Sequence, residues 1–406
     1  MAEYHETRSL EEDKKERAAK REKARKERRR RGGRRLARAA VALALTAAAL
    51  VACWQVMGPV RLANFTDALR LVGRRGGGFP LDCSYGNLRQ AALLGDSLAL
   101  LEPAQLRVYI KNGYQSLGGF AQPYASPALC AAYGRAVLFD RAAGKLTLLS
   151  KTGVLYEKDL PRGLFCVDLG RGGALAAATR ADGAASEIYV WDAAQKQEFA
   201  WRCEKERPAA LRLGGRGLGA CLVGTEQAGI YSRFVEFSFE REAPRIDVRI
   251  EDDVLCGAAA VSDGWLAVGD QAVYHITRDS RAQALSYGGR AWVRFALEQG
   301  CYCAVVLEDW DSPALLRVYG KNGALALEQG LPQRPLGVSC TGGCVYLRFA
   351  DAMVRWRASG GFRQSQPLPQ STQEAFVAGG TAYLLALRQV EEMRLRWGPC
   401  ALLEEE

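Results

Sequence analysis

Twelve cysteines and two histidines are the residues of this 406-residue chain best suited to metal binding or nucleophilic chemistry, and their spacing argues against both. The cysteines are Cys53, Cys83, Cys130, Cys166, Cys203, Cys221, Cys256, Cys301, Cys303, Cys340, Cys344 and Cys400. No two of them form the Cys-x-x-Cys pair that zinc and iron–sulfur sites use as a chelating unit. Cys301 and Cys303 stand two apart on a strand-like run, so they point to one face and read as small buried hydrophobes. Cys340 and Cys344 flank Thr341-Gly342-Gly343 and could face each other across a hairpin, which would allow a disulfide. The remaining thiols read as core residues of a protein from a reducing or anaerobic setting. His275 lies in the strand-like run Val273-Tyr274-His275-Ile276 with no nucleophile beside it in sequence, and a structural role is expected. The acidic groups Glu251-Asp252-Asp253 and Glu308-Asp309-Trp310-Asp311 are loop-like but lack the alternating ligand positions of a calcium loop. No catalytic residue, metal ligand or cofactor site is therefore expected.

The elements around these residues are short and repetitive. After Phe79, runs rich in Val, Leu, Tyr and Ala alternate with Gly, Asp, Asn and Ser turns, which is the pattern of strands joined by hairpins. The runs begin at Gly95, Gly134, Gly173, Gly219, Gly264, Cys301, Cys344 and Thr381, spaced 37–46 residues apart. Each leads through a turn into a second run ending at Tyr109, Leu149, Trp191, Phe237, Ile276, Tyr319, Trp356 and Leu395. Leu106-Arg107-Val108-Tyr109-Ile110-Lys111-Asn112-Gly113 and Leu316-Arg317-Val318-Tyr319-Gly320-Lys321-Asn322-Gly323 differ at one position in eight. An all-β period of this length is that of a propeller blade of four strands. Eight units are counted from 79 to 400, and seven blades remain open if one unit belongs to a shared, ring-closing blade.

Charge divides the chain before that point. Residues 1–38 carry 16 Lys/Arg against 8 Asp/Glu, leaving 39 against 37 in the remainder, so the pI of about 9.0 belongs to the tail. Between Arg38 and Arg61 lie 22 uncharged residues, Ala39 to Val60, long enough at roughly 33 Å to cross a bilayer. Basic residues beside such a span mark its cytoplasmic side, and they attract anionic lipid headgroups. The expected organisation is a basic tail (1–38), a transmembrane helix (39–60), a juxtamembrane linker (61–78) ending in a flexible Gly run, an extracytoplasmic propeller (79–400) and an acidic tail (401–406). Leu50-Val51-Ala52-Cys53 also fits a lipoprotein signal peptidase box, in which Cys53 would carry the lipid instead; either anchor leaves the propeller outside the cytoplasm. Nucleic acid is not an expected partner, because the membrane span accounts for the basic tail.

The chain resembles an uncharacterised family of membrane-anchored β-propeller proteins of unknown function from Gram-positive, largely anaerobic bacteria. The resemblance rests on Gly134-Arg135-Ala136-Val137-Leu138-Phe139-Asp140-Arg141 with Gly144, Ser150-Lys151-Thr152 leading to Tyr156-Glu157-Lys158, Ile188-Tyr189-Val190-Trp191-Asp192, Gly229-Ile230-Tyr231-Ser232, and Gly269-Asp270-Gln271-Ala272-Val273-Tyr274. It implies a cytoplasmic N-terminus and an external propeller, and it brings no active-site residues with it. The long basic tail and the cysteine count depart from that pattern. A more distant similarity, through Tyr189-Val190-Trp191-Asp192-Ala193 and Phe199-Ala200-Trp201, is to quinoprotein-type and outer-membrane assembly propellers.

The expected function is that of a non-enzymatic binding or scaffold module for a protein, peptide or glycan at the cell surface. The alternative is an extracytoplasmic propeller enzyme, a lyase or glycosidase, which would need a pocket holding two carboxylates roughly 5–9 Å apart. A third expectation is signal transmission through a partner of the cytoplasmic tail.

Overall fold

The computed structural model describes residues 41, 60–214, 217–227, 229–241, 243–298, 302–309, 311–360 and 363–398. Expectations for the basic tail, the span apart from Val41 and Val60, Cys53, Cys301, Cys400 and residues 401–406 lie outside the described residues. Among the described residues no helix is long and apolar enough to cross a membrane.

Eight four-stranded antiparallel sheets follow one another along the chain, so the expected propeller is present with eight blades rather than seven. Blades 1–7 comprise residues 90–121, 127–159, 164–203, 207–251, 257–286, 291–330 and 337–367, each a simple up-and-down meander. The first strands of neighbouring blades pack against one another around the ring and therefore line its axis. Blade 8 takes its first three strands from residues 372–394 and its fourth from Leu81–Asp82 near the start of the ring, paired through Leu81 with Val390 and Asp82 with Gln389. The seam continues through Cys83 N–H to the Arg388 carbonyl and Tyr85 N–H to the Leu387 carbonyl, both 3.0 Å.

The second strands are the most apolar segments because each is buried on both faces between neighbouring blades. Ser97–Leu101, Arg135–Asp140 and Gly264–Val268 are buried at every position. Contact between blades depends on complementary shape: the Trp265 ring of blade 5 lies over Gly219 of blade 4, where a Cβ would come within 2.6 Å of it. Trp265 also donates its indole N–H to Glu236 at 3.2 Å.

The near-identical segments of blades 1 and 6 form the same turn. Asn112 Oδ1 accepts from Tyr114 N–H at 3.0 Å and Asn322 Oδ1 from Ala324 N–H at 3.2 Å. Gly113 and Gly323 sit at φ of 73° and 74°, which glycine adopts without strain. Both third strands shift register at the equivalent step, Val108/Tyr109 and Val318/Tyr319.

The segment expected as a linker is helical over 60–71 and is held against the ring. Gly73, at φ of 71°, ends the helix in the left-handed conformation usual just past a helix C-terminus. Val60 joins the apolar core between blades 2 and 3, and its carbonyl accepts from Arg135 Nε at 3.0 Å. Asp67, almost fully buried, accepts from Ser150 Oγ at 2.9 Å, Lys151 N–H at 2.9 Å and Thr152 Oγ1 at 2.6 Å. Asn64 donates to the Tyr133 carbonyl at 3.2 Å, and Asn112 donates to the Arg74 carbonyl at 2.8 Å. Every ring residue in these contacts belongs to, or adjoins, a turn between first and second or between third and fourth strands. The helix thus occupies one face of the ring, and the turns between second and third strands and the links between blades form the other.

Cys340 and Cys344 do not face each other. The Gly342-Gly343 turn pairs Thr341 with Cys344 and Cys340 with Val345, so the two thiols point to opposite sides of blade 7. That register corrects the disulfide the spacing allows.

Candidate functional site

A cavity of about 650 Å³ runs along the axis where the first strands of blades 6, 7, 8 and 1 converge. Its origin is visible in the residues of blade 7. Val338/Leu347 and Cys340/Val345 are paired on the face toward blade 6, where Leu347 and Val345 belong to a core of twelve buried apolar side chains and Val338 and Cys340 pack against it. The opposite face carries the pairs Gly337/Arg348, Ser339/Tyr346 and Thr341/Cys344 and meets blade 8 through a core of five among the described residues. Polar, uneven side chains on that face leave space that the other side fills.

Arg348 is the central charged group. Its stem lies over Gly337, which offers no side chain to compete for the space, and its Nη2 approaches the Leu336 carbonyl at 3.5 Å. Its Nη1 is buried and has no hydrogen-bond partner. Burial lowers the Arg348 pKa, Glu374 and Tyr85 counteract that shift, and Arg294 adds to it. Burial likewise raises the Glu374 carboxyl above its ordinary value, with Arg348 opposing. Tyr346, Phe295, Phe376 and Met353 supply apolar walls. Tyr85, Leu336, Arg348 and Gln373 stand at the strand ends on the face opposite the helix, while Thr341 and Val377 reach toward the helix-bearing side. Glu374 is the one carboxylate among the described lining residues, so the cavity does not form the two-carboxylate arrangement of a glycosidase. The arrangement suits binding of an anionic group: a guanidinium partly out of water, with its Nη1 amino group unpaired, gains most from a carboxylate.

A second cleft of about 670 Å³ lies between the helix and blades 1 and 2. There Lys151 and Lys111 are both directed at Asp96, and the Arg171 guanidinium lies over the Tyr133 ring.

The residues singled out by sequence have structural tasks. Burial pushes the Cys130, Cys166 and Cys203 thiols up to about 12 and Cys256 up to about 11, so they stay protonated and weakly nucleophilic at neutral pH. His275 is buried, pairs through Nε2 with Asp263 Oδ1 at 3.2 Å and packs beneath Gly323 of the next blade. In the acidic run at 251–253, Asp253 is buried and accepts from Asp270 N–H at 2.5 Å, Gln271 N–H at 3.1 Å and Tyr274 O–H at 2.7 Å. In the other run Glu308 pairs with Arg334 at 3.2 Å. Among the described residues no group of three or more His, Cys, Asp or Glu is placed to hold a metal ion. The segments that carry the family resemblance act in the same way: Arg135 and Ser150-Lys151-Thr152 hold the helix, and Asp140 caps Ala125, Ser126 and Ala142. Tyr231 carries Arg249 3.7 Å above its ring, and Gly269 to Tyr274 enclose Asp253.

Arg294, Arg348 and Glu374 escape sequence reasoning. The signal they leave is a charged side chain inside a strand of otherwise mixed or apolar residues, as in Trp292-Val293-Arg294-Phe295 and Val345-Tyr346-Leu347-Arg348.

No protein-family model and no curated protein matches the chain. Among solved structures it is similar to the computationally designed Ika8 protein, with a TM-score of 0.55 and 10% identity over 79% of this chain and 98% of that one. It is also similar to Sqt1 of Saccharomyces cerevisiae, with a TM-score of 0.53 and 7% identity over 79% of this chain and 100% of the other. A eukaryotic initiation factor follows with a TM-score of 0.50 and 9% identity over 78% and 85% of the two chains. At such identities the likeness is one of fold.

Proposed function

We propose that this chain is a membrane-anchored, extracytoplasmic binding module that receives an acidic segment of a protein or peptide partner at the axial cavity between blades 7 and 8. The observation that carries the reading is the buried Arg348 Nη1 without a partner, set in an apolar-walled cavity whose charged end lies on the face opposite the helix. The anchor is supported by the uncharged run from Ala39 to Pro59 and the basic run before it, the last residue of the expected span, Val60, being taken up by the core of the ring instead. In such an arrangement a partner outside the cell meets the Arg348 end of the ring, and its carboxylate completes the guanidinium. The single carboxylate in the cavity favours binding over hydrolysis.

A photo-crosslinking residue at Gln373 in the full chain, expressed in its own cells, tests the site. The expected result is a discrete adduct that an Arg348→Met exchange abolishes; an adduct of equal yield in both proteins rejects the cavity as the binding site. Protease added to intact cells tests the placement, since a ring left intact while other external proteins are degraded contradicts an extracytoplasmic module.

A further inference from the structure

The helix over 60–71 is amphipathic in two directions, and the ring uses only one of them. Val60, Ala63 and Asp67 face the blades and are buried. Phe65, Leu69 and Val72, spaced four and three residues apart along the opposite side, are 55%, 59% and 76% exposed. An apolar stripe of that kind marks a surface that another body covers.

Charge and chain order say what covers it. Between Val60 and Gly78 the exposed charges are Arg61, Arg70, Arg74 and Arg75, and the one acid of the segment, Asp67, is consumed by blade 2. The uncharged stretch ends at Val60, within the described helix over 60–71, so the stripe begins just past the expected span. Arginines beside Phe, Leu and Val on a helix that lies flat are the composition of an interfacial segment on anionic lipid.

We infer that residues 60–75, the helix over 60–71 and the turn that follows it, form an interfacial segment that seats the ring on an anionic bilayer surface, inserting Phe65, Leu69 and Val72 at the headgroup–acyl boundary. Asp67 makes the seat rigid: its three hydrogen bonds to Ser150, Lys151 and Thr152 tie the helix to blade 2, so the bilayer contact fixes which face of the propeller points outward. The face bearing Arg348 is then the one turned away from the lipid. This inference rests on the anchored reading proposed above.

The test uses the full chain reconstituted in vesicles of phosphatidylcholine and phosphatidylglycerol, with an environment-sensitive fluorescent residue replacing Leu69 or, as a control on the opposite face, Leu387. Acyl chains brominated near the headgroup are expected to quench about half of the emission at 69 and to leave 387 unchanged, with weaker quenching in purely zwitterionic vesicles. If the chain survives an alkaline wash but the probe at 69 is unquenched, the anchor stands and the interfacial helix is overturned. Quenching at 69 in a chain that the wash removes overturns the anchor and leaves the helix as the membrane contact. Equal quenching with and without anionic lipid removes the assignment to anionic headgroups. Self-quenching between labelled chains with no effect of bromine places a second copy on the stripe and rejects the lipid.

Discussion

The Tyr383 hydroxyl donates a hydrogen bond to the Asp96 carbonyl at 2.7 Å, joining the last blade to the first across 287 residues of sequence. Tyr383 is fully buried in the core shared by blades 8 and 1. A Tyr383→Phe exchange keeps the ring's packing and leaves the carbonyl without its donor. The expected cost is about 1 kcal/mol, read as a lower urea midpoint with an unchanged slope.

Gly219→Ala sets a methyl group against the Trp265 ring, whose atoms lie 2.6–3.0 Å from the new Cβ. Neither neighbour yields easily, because Gly219 is in a central strand and Trp265 is buried and hydrogen-bonded. A loss of roughly 1–3 kcal/mol is expected in chemical denaturation. The same change at Gly86, where a Cβ meets nothing, is the control.

Asp67→Ala deprives three donors on blade 2 of their shared acceptor. The helix is expected to open locally, with amide exchange over 60–71 faster by more than tenfold and exchange in the second strands unaltered. Global unfolding at the same rate in both regions would contradict a separate, pinned element.

Asp168, on the first strand of blade 3, is raised to about 6 by burial, against the opposing pull of Arg212 at 3.3 Å and Leu213 N–H at 2.6 Å. Its folded value exceeds its unfolded one, so the folded chain holds a proton that the unfolded chain releases between pH of about 4 and 6. Stability from this group is therefore complete below pH of about 4 and is lost as pH rises through 6. Asp168→Asn removes that dependence. The difference in unfolding free energy between the two proteins is expected to change by roughly 2 kcal/mol from pH 4 to pH 7, in favour of the Asn variant at the higher pH.

Arg348→Met is expected to leave stability unchanged or raise it by about 1 kcal/mol, because it removes a buried amino group, Nη1, that has no partner. Capture of a partner through a crosslinker at Gln373 is expected to disappear in the same protein. A strongly destabilised variant would instead assign Arg348 to the architecture of blade 7.

Much of this fold is legible in the chain because the second strands announce themselves. Runs beginning at or near Gly95, Gly134, Gly173, Gly219, Gly264, Cys301, Cys344 and Thr381 coincide with the eight second strands, which are buried on both sides and so read as continuous apolar segments. The ring-closing strand is two residues long, Leu81–Asp82, and carries no period of its own. The helix over 60–71 is hidden by its mixed composition and the Gly run behind it: three turns with apolar residues on both sides give no single stripe. Asp67 becomes intelligible only beside Ser150 and Lys151. The cavity is less legible still, since Arg294, Arg348 and Glu374 come from three successive blades and meet only where those blades converge on the axis.

Closure by Leu81–Asp82 also sets a timetable. A ribosome releases this pair before any blade exists, and its partners Gln389 and Val390 are among the last residues of the ring to be made. Through nearly the whole of synthesis the first blade has no neighbour on one side, and an apolar flank around Leu98 and Leu100 waits uncovered for Tyr383 and Leu385. Such a flank invites pairing with another nascent chain, so the protein's vulnerability to aggregation is concentrated in the interval before its final forty or so residues emerge.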